Sequence, residues 1–297
     1  MIKFHADCVT CLLNSSLKKI DCVTDEKKRM EYMRRACEII ADNDFVEYSA
    51  PIVDSKIIRL RRETLGIVED YTAEKSEFNQ LLLDLYDDLK EKVNASEDKL
   101  LTAIQLAMAG NYIDFGTVSD VNAARLMEML DEAAQRIVDP VEYENLKRDI
   151  QAEGEIVYCH DNCGEIVLDK LLIETIKECY PGQKVVSFVR GGNVQNDVTL
   201  ADAAEVRLAE VSDEVIANGV EDVAGTQLDF LPKDVYERIC GAKLVIAKGQ
   251  GNFETLQGCG LNVYYLFLCK CPRYTTWFGL ERFSGVLAND RRLKLAE

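Results

Sequence analysis

The sequence predicts an α/β protein in which an N-terminal all-helical domain packs on a C-terminal three-layer αβα domain with a mainly parallel sheet. Two observations support this fold class. From Cys8 to about Ile150, apolar residues recur three and four positions apart, which is the period of an amphipathic helix. After Gly154, short β-rich runs alternate with helical stretches, which is typical of an α/β domain. We therefore predict a helical domain at 1–153 and an αβα domain at 154–297.

The helical half has its clearest periodicity in LLLDLYDDLKEKV, residues 81–93, and in NAARLMEMLDEAAQRIV, residues 122–138. Asp139-Pro140 is predicted to interrupt the second helix, because proline lacks a backbone N–H and restricts the residue before it. The segment EYENLKRDIQAE, residues 142–153, then continues as helix. Few strands could be accommodated in this half of the chain.

Five short runs rich in β-branched and aromatic residues predict the strands of the second half. They are EIVYCH, KVVSFVR, DEVIANG, KLVIAKG and NVYYLFLC, at residues 155–160, 184–190, 213–219, 243–249 and 262–269. The runs are apolar on both faces, as parallel strands are when helices cover both sides of their sheet. They therefore indicate a sheet enclosed between two helical layers.

Composition limits the classes of function. The 52 acidic and 35 basic side chains give a formal charge of −17, so the chain lacks the broad basic surface that nucleic-acid binding requires. The N-terminus has no apolar signal region and no run of 18 apolar residues occurs, so we expect a soluble, cytoplasmic protein with no membrane partner. Eleven cysteines, an odd number, fit a reducing compartment better than a disulfide framework.

Polar side chains follow three of the predicted strands. In an open parallel sheet, ligands bind beyond the carboxyl ends of the strands, where the following loops converge. Asp161 and Asn162 follow the first strand, and Asp197 lies in the loop after the second. The loops after the second and fourth strands add further polar residues and glycines: Arg190, Asn193, Asn196, Lys248, Gly249, Gln250, Gly251, Asn252 and Glu254. These side chains are expected to meet at one edge of the sheet.

Each of these residues also has an ordinary structural explanation. Asp161 or Asn162 could cap the helix that begins near Gly164, since Asp and Asn are preferred at that position. Asp197 could belong to a turn, and Lys248 could lie on a solvated turn. The convergence of three strand ends favours a shared site, because three separate caps would not need to be Asp, Asn and Asp.

The chemistry of the set favours a hard metal ion and a phosphate. The oxygens of Asp161, Asn162 and Asp197 suit Mg²⁺, Mn²⁺ or a similar divalent ion, which keeps coordination sites for water and substrate phosphate. Lys248 would supply a positive charge, and the backbone N–H groups of the glycine-rich turn at Gly249 can approach an anion closely. A metal ion together with a lysine is the usual apparatus of phosphoryl transfer.

The helical half contributes one unusual segment, LAMAGNYIDFGTVSD, residues 106–120. Gly110 is a helix-termination signal, and Asn111 and Asp114 then stand among large apolar residues. The segment could simply connect two helices. Alternatively, it could extend over the sheet edge and line a substrate pocket.

These residues resemble the damage-control phosphatase family, long labelled domain of unknown function 89, in its bacterial and archaeal branch with an N-terminal CxxC. The similar blocks are AGNYIDFG, DNCGEIVLDKLL, VRGGNVQNDVTLADA and AKGQGNFETL, in the family's order across residues 105–257. The resemblance implies a helical domain joined to an αβα domain. It also implies a phosphatase of small phosphometabolites such as sugar phosphates, with manganese, cobalt, nickel or magnesium as cofactor.

The resemblance also implies residue roles. Asp161, Asn162 and Asp197 would hold the metal ion, with Asp161 and Lys248 as catalytic residues and Lys248 contacting the phosphate. The expected substrate-binding residues are Asn111, Asp114, Glu165, Arg190, Asn196, Gly249, Asn252 and Glu254. The chain departs from the family pattern at Cys163, where a small residue such as alanine is expected, and in the Gly-Asn-Val-Gln part of the third block. Neither departure removes an expected ligand.

The N-terminal segment HADCVTCLLNS contains a C-x2-C pair, Cys8 and Cys11, preceded by His5. Such a pair can bind zinc, but a structural zinc site needs four ligands and no second pair with matching spacing follows. Cys269 and Cys271 are the nearest candidates, so Cys8, Cys11 and Cys271 could form a second metal site or a thiol cluster. The alternative is that Cys8 and Cys11 lie one turn apart on a buried helix face.

Two other classes of function compete with the phosphatase. A carboxyl methyltransferase that uses S-adenosylmethionine would be expected to carry a glycine-rich turn after its first strand, where this chain has Asp161-Asn162. A non-catalytic sensor of a metabolite or metal could use the same residues without turnover. Phosphate release from a panel of sugar phosphates separates the three.

Overall fold

The computed structural model describes residues 3–110, 123–133, 138–152 and 154–293. The described part of the N-terminal half is helical, as predicted. Its helices are α1 (Ala6–Lys18), α2 (Glu26–Ala41), α3 (Ala50–Leu65), α4 (Thr72–Leu83), α5 (Tyr86–Ala95), α6 (Lys99–Ala109), α7 (Ala123–Ala133) and α8 (Pro140–Gln151).

Two local sequence signals in this half have clear structural outcomes. The segment 81–93 is divided between α4 and α5, which end and begin on either side of Asp84 and Leu85. The predicted interruption at Asp139-Pro140 is confirmed, because α8 begins at Pro140 and the Asp139 carboxylate accepts hydrogen bonds from the first free amides of the helix.

The second half contains a six-stranded sheet. Its strands are β1 (Glu155–Cys159), β2 (Lys184–Val189), β3 (Glu214–Ala217), β4 (Leu244–Lys248), β5 (Val263–Leu268) and β6 (Gly285–Asn289). Their order is β3-β2-β1-β4-β5-β6, and all neighbours are parallel except β5 and β6. All five predicted strands are therefore confirmed, and the antiparallel edge strand β6 is an addition.

Helices cover both faces of the sheet, which confirms the three-layer αβα architecture. The helices of this half are α9 (Glu165–Cys179), α10 (Leu200–Glu205), α11 (Lys233–Gly241), α12 (Gly249–Leu256) and α13 (Pro272–Phe278). Alternate strand residues enter two different cores: Ile156 and Tyr158 pack with α6 and α9, whereas Val157 and Cys159 pack with α11, α12 and α13. The apolar runs in the sequence thus follow from burial on both faces.

The predicted domain boundary at 153/154 remains a prediction. One continuous hydrophobic core joins α4, α5, α6 and α8, from before this boundary, to α9 and the sheet. Helices α1, α2 and α3 have a separate core of their own. Within the described ranges, no helix combines the length and the apolar character that crossing a membrane would require.

The strand order fixes where a ligand could bind. After β1, the chain adds β2 and β3 on one side, and then returns to place β4 on the other side of β1. The loops after β1 and β4 therefore diverge at a topological switch point, where open α/β sheets form ligand crevices. The polar residues predicted from the sequence follow β1, β2 and β4, which are neighbours at this point.

Candidate functional site

The three predicted metal ligands lie side by side because two loops pair through their backbones. Asn162 and Asp197 form an isolated antiparallel bridge, and the Val198 amide donates to the carbonyl of Asp161 at 2.8 Å. The loop after β1 is thus fastened to the loop after β2. Asp161, Asn162 and Asp197 all line one cavity of about 180 Å³ beyond the carboxyl ends of the strands.

Helix capping does not account for these side chains. The N-cap of α9 is Gly164, in a conformation with φ of 76°, and no side chain caps that helix. Helix α10 is capped by Thr199, which forms a capping box with Asp202. Neither helix is thus capped by the side chain of Asp161, Asn162 or Asp197.

A buried arginine joins the two carboxylates. Arg190 lies immediately after β2 and is 2% exposed. Its Nη2 donates to Oδ1 of Asp161 at 3.1 Å, and its Nε donates to Oδ2 of Asp197 at 2.5 Å. Its Nη1 donates to Oδ1 of Asn252 at 3.2 Å. The predicted substrate-binding residue Arg190 thus contacts two predicted metal ligands.

Burial shapes the electrostatics of this pair. Burial, together with the neighbouring carboxylates of Asp197 and Glu165, raises the pKa of Asp161 well above its usual range, against the opposing effect of Arg190. Burial also raises the pKa of Asp197, and Arg190 again opposes the shift. Two buried carboxylates at close range need positive charge, which a divalent ion would supply as effectively as the arginine.

Gly249 gives Asp161 the space that it occupies. Gly249 begins α12 with φ of 76°, and a Cβ placed on it would lie 1.8 Å from Oδ2 of Asp161. Any other residue would displace that carboxylate. The predicted role of Gly249 in binding phosphate stays a prediction, and its structural contribution is to leave room for Asp161.

The donor set suits a hard divalent ion. It comprises two carboxylates and a carboxamide from Asp161, Asn162 and Asp197, next to a cavity with room for an ion and a phosphoryl group. No group of three or more His, Cys, Asp or Glu side chains within the described ranges is arranged to hold a metal ion. The candidate site therefore depends on the amide of Asn162 and on ligands from outside the protein to complete the coordination.

Lys248 lies away from this cavity. Its side chain is fully buried, and its ammonium donates to Oε1 of Glu165 at 2.5 Å, to Oδ1 of Asp169 at 2.7 Å and to the carbonyl of Ala107 at 2.8 Å. Although burial lowers the pKa of Lys248, these two carboxylates raise it above its usual value. All three ammonium protons are used, so direct contact of Lys248 with phosphate stays a prediction that would require this network to rearrange.

The same network includes Asp169, which sequence reasoning assigned a purely structural role. Its carboxylate accepts from the hydroxyl of Tyr158 at 2.8 Å and lies 2.9 Å from Nδ1 of His160. Burial alone would raise the pKa of Asp169, but Lys248 and His160 hold it below its usual value. This buried polar network connects β1, β4, α9 and the end of α6.

Of the described residues that line the cavity, Lys270 is the cationic one, and the sequence prediction missed it. It follows β5, and it contributes to the wall of the 180 Å³ cavity together with Gln250, Gly251 and the predicted ligands. Its charge lowers the pKa of Asp161, although burial dominates that shift. A detectable signal existed, because β5 neighbours β4 in a parallel sheet and its following residues must reach the same edge.

The other predicted substrate-binding residues have different positions. Asn196 lines the cavity, whereas Glu165 is completely buried against Lys248. Asn252 donates from Nδ2 to the carbonyls of Lys248 and His160, so it fixes the turn after β4. Asn111 and Asp114 lie outside the described residues.

Glu254 and the cysteines line a second, larger cavity of about 680 Å³, which shares Gln250 and Lys270 with the smaller one. Cys8, Cys11 and Cys271 all contribute to its wall. Burial, followed by the charges of Glu254 and the other two thiols, raises the pKa of Cys8 to about 11. The structure thus brings the three thiols close together, while their metal binding stays a prediction.

The expectation of a buried helix face holds only in part for the C-x2-C pair. Cys8 and Cys11 lie on α1, but Cys8 is only half-buried and Cys11 is exposed towards the larger cavity. All eleven cysteines are free thiols. This agrees with the absence of a disulfide framework that the odd number of cysteines predicts.

Comparisons with known proteins agree on the family. The family model described as "Damage-control phosphatase ARMT1-like domain" matches residues 4–283. A damage-control phosphatase of Archaeoglobus fulgidus is 30% identical over 304 residues, covering 100% of both chains. A damage-control phosphatase of Pyrococcus horikoshii is 26% identical, covering 91% of this chain and 92% of the relative.

A solved structure supports the same fold. The crystal structure of a DUF89 family protein from Pyrococcus horikoshii superimposes with a TM-score of 0.84 and 24% sequence identity. The match covers 98% of this chain and 99% of the other. The fold is therefore shared over essentially the whole length, and the chain belongs to the damage-control phosphatase ARMT1-like domain family.

Proposed function

We propose that this chain is a metal-dependent phosphatase that hydrolyses small phosphometabolites such as sugar phosphates. The observation that carries the proposal is the pairing of Asp161, Asn162 and Asp197 around one cavity whose wall also contains Lys270. Hard oxygen donors and an ammonium group on the same small cavity fit a phosphoryl group bound between two positive charges. The names of the relatives from Archaeoglobus fulgidus and Pyrococcus horikoshii support the same activity.

Each residue of the site has a proposed task. Asp161, Asn162 and Asp197 would hold a divalent ion of manganese, cobalt, nickel or magnesium, which would polarise the phosphoryl oxygens and make water a better nucleophile. Lys270 would offset the negative charge that develops on the transferring group. Arg190 bridges the carboxylates of Asp161 and Asp197 and orients them.

The buried network around Lys248 affects the cavity indirectly. Lys248 contacts the carbonyl of Ala107, two residues before the end of α6. It also contacts Glu165 at the start of α9, which directly follows the loop with Asp161 and Asn162. We propose that Lys248 positions these elements around the cavity, with direct phosphate contact reserved for Lys270.

The decisive experiment is phosphate release from a panel of sugar phosphates with Mn²⁺, Co²⁺, Ni²⁺ or Mg²⁺, after dialysis against a chelator. We expect release that depends on added metal in the wild type and is abolished in Asp161→Ala, while circular dichroism shows that the variant remains folded. Full activity of Asp161→Ala would contradict the proposed site. Thermal stabilisation by metal and sugar phosphate without any turnover would instead indicate a sensor.

A further inference from the structure

The larger cavity adjoins the proposed phosphate site and is big enough for the organic part of a substrate. The two cavities share Gln250 and Lys270 as common walls. Gln250 fixes this boundary, since its Oε1 accepts from the backbone amides of Lys270 and Cys271 at 3.3 Å each. A phosphorylated metabolite bound at Lys270 therefore has the larger cavity directly beside it.

The charges in this cavity are unusual for so acidic a protein. The chain carries a formal charge of −17, yet Lys270, Arg273 and Arg282 contribute three positive charges to the wall, against two carboxylates. One of those carboxylates, Glu254, is buried, and burial raises its pKa to about 7. Burial thus favours the uncharged form of Glu254, and the cationic side chains outnumber the carboxylates in the wall in any case.

Arg273 has an unmet requirement for a hydrogen-bond acceptor. Its Nε is buried and lacks a hydrogen-bond partner among the residues that the structure describes. A buried guanidinium N–H without an acceptor is costly, and such a group in a native structure calls for a ligand or water. The other arginine of this wall, Arg282, is exposed, with its guanidinium carbon 4.7 Å from the centroid of the Phe283 ring.

We propose that the larger cavity binds a second anionic group of the substrate, with Arg273 as its principal partner. The preferred substrates are then phosphomonoesters that carry a carboxylate or a second phosphate in addition to the phosphate that is hydrolysed. Guanidinium groups bind both kinds of anion through paired, charge-assisted hydrogen bonds. This inference rests on the proposed phosphatase function and specifies its class of substrate.

Matched pairs of esters test the proposal in the wild-type enzyme. Glucose 6-phosphate and 6-phosphogluconate differ at C1, which is a hemiacetal carbon of a ring in the first and a carboxylate on an open chain in the second. Fructose 6-phosphate and fructose 1,6-bisphosphate differ by the second phosphate. With the same metal ion, we expect kcat/KM to be at least about tenfold higher for at least one ester with the additional anion, mainly through KM, since a hydrogen bond to a charged group has about this value. Whichever pair shows the larger ratio identifies the anion that Arg273 recognises.

Substitution assigns the effect to Arg273. Arg273→Met should remove the preference for the ester with the second anion. It should lower kcat/KM for that ester about tenfold or more, with no comparable change for the ester of the same pair that lacks the second anion. Arg273→Lys should restore part of the preference. Arg207→Met is the matched control for the loss of one positive charge, since the side chain of Arg207 is 77% exposed and lies outside the cavity.

The outcomes separate this inference from the proposed function. Absence of phosphate release from all four esters with every metal ion contradicts the phosphatase proposal. Release at equal kcat/KM within both pairs, or a preference that persists in Arg273→Met, leaves the phosphatase intact and refutes the second-anion site. An equal effect of Arg207→Met would attribute the preference to net charge alone and would also refute it.

Discussion

Replacing Arg190 with methionine should destabilise the metal-free protein and make its stability depend on metal ions. Methionine keeps much of the side-chain length but removes the charge and all the hydrogen-bond donors. The substitution leaves Asp161 and Asp197 facing each other in a buried site without the guanidinium that now bridges them. It thus creates an uncompensated charge in the interior of the protein.

The size of the effect follows from burial and from the number of partners. Arg190 is 2% exposed and donates hydrogen bonds to three side chains, of which two are carboxylates. Removing one partner of a buried ion pair costs about 3–5 kcal/mol. With an unfolding entropy of about 2.1 cal/mol/K per residue over 297 residues, that loss lowers Tm by about 5–8 °C.

The assay compares thermal unfolding of wild type and Arg190→Met in chelator-treated buffer and in saturating Mn²⁺. A divalent ion bound by Asp161 and Asp197 supplies positive charge at the place where the guanidinium is missing, and ligand binding stabilises the folded state. We therefore expect Mn²⁺ to remove at least half of the difference in Tm between the two proteins. This readout requires no catalytic turnover.

Arg238 provides the control. It also bridges two carboxylates, those of Glu155 and Glu214, but it does so at the amino ends of β1 and β3 and its side chain is 26% exposed. Arg238→Met should give a smaller loss of stability that Mn²⁺ does not reverse. A deficit in Arg190→Met that stays the same with and without Mn²⁺, or the absence of any deficit, would refute the reasoning.

Two further predictions concern Gly249 and Glu254. Gly249→Ala should lose metal-dependent thermal stabilisation, because the new Cβ would lie 1.8 Å from Oδ2 of Asp161. Gly258→Ala is the control, since Gly258 has a similar φ of 79° and open space around it. This control should lose only about 1–2 kcal/mol of stability and keep its stabilisation by metal. Equal metal responses in the two variants would contradict this account. Glu254 has a folded-state pKa of about 7 against a usual 4.5. Its ionisation therefore lowers the free energy of unfolding as pH rises from about 4.5 to 7, and this decrease is complete above about pH 7. Glu254→Gln should therefore be more stable than wild type by up to about 3 kcal/mol at pH 8 but not at pH 4.5, as measured by denaturant unfolding, and a gain that is the same at both pH values would disprove the assignment.

The fold could be predicted well from the sequence because four of its strands, β1, β2, β4 and β5, are buried on both faces. Each of the five runs after Gly154 forms a strand, although DEVIANG is partly polar and its strand β3 is only partly buried. Strand β6 gave a weaker signal: it is a short edge strand, Gly285–Asn289, that lies antiparallel to its one neighbour, β5. Pairing at an edge depends on the tertiary position of the strand more than on its composition.

The meeting of Asp161, Asn162 and Asp197 at one edge of the sheet was also predictable, since they follow parallel strands whose carboxyl ends share that edge. The role of Arg190 was not, because a residue just after a strand can equally line a pocket or turn inwards. Its side chain turns inwards to Asp161 and Asp197, which lie on two loops that meet only through a tertiary contact. The Nε of Arg273, which has no hydrogen-bond partner within the described part of the chain, likewise has no signature in the sequence.

The two lysines show how strand geometry separates similar residues. Lys248 is the last residue of β4 and shares the alternation of Leu244 and Ile246, whose side chains pack in the core with α6 and α9. Its ammonium must therefore enter that side of the sheet, where Glu165 and Asp169 surround it.

Lys270 comes two residues after the end of β5, beyond the hydrogen-bonded ladder, so the alternation of the strand does not direct its side chain to one face of the sheet. It can extend over the edge towards Asp161 and the smaller cavity. A lysine inside the alternation of a strand has its side chain directed into a layer of the fold, whereas the side chain of Lys270, beyond the end of β5, reaches the wall of the cavity. This distinction follows from the strand bounds, and it supports the proposal that Lys270, and not Lys248, contacts the phosphate.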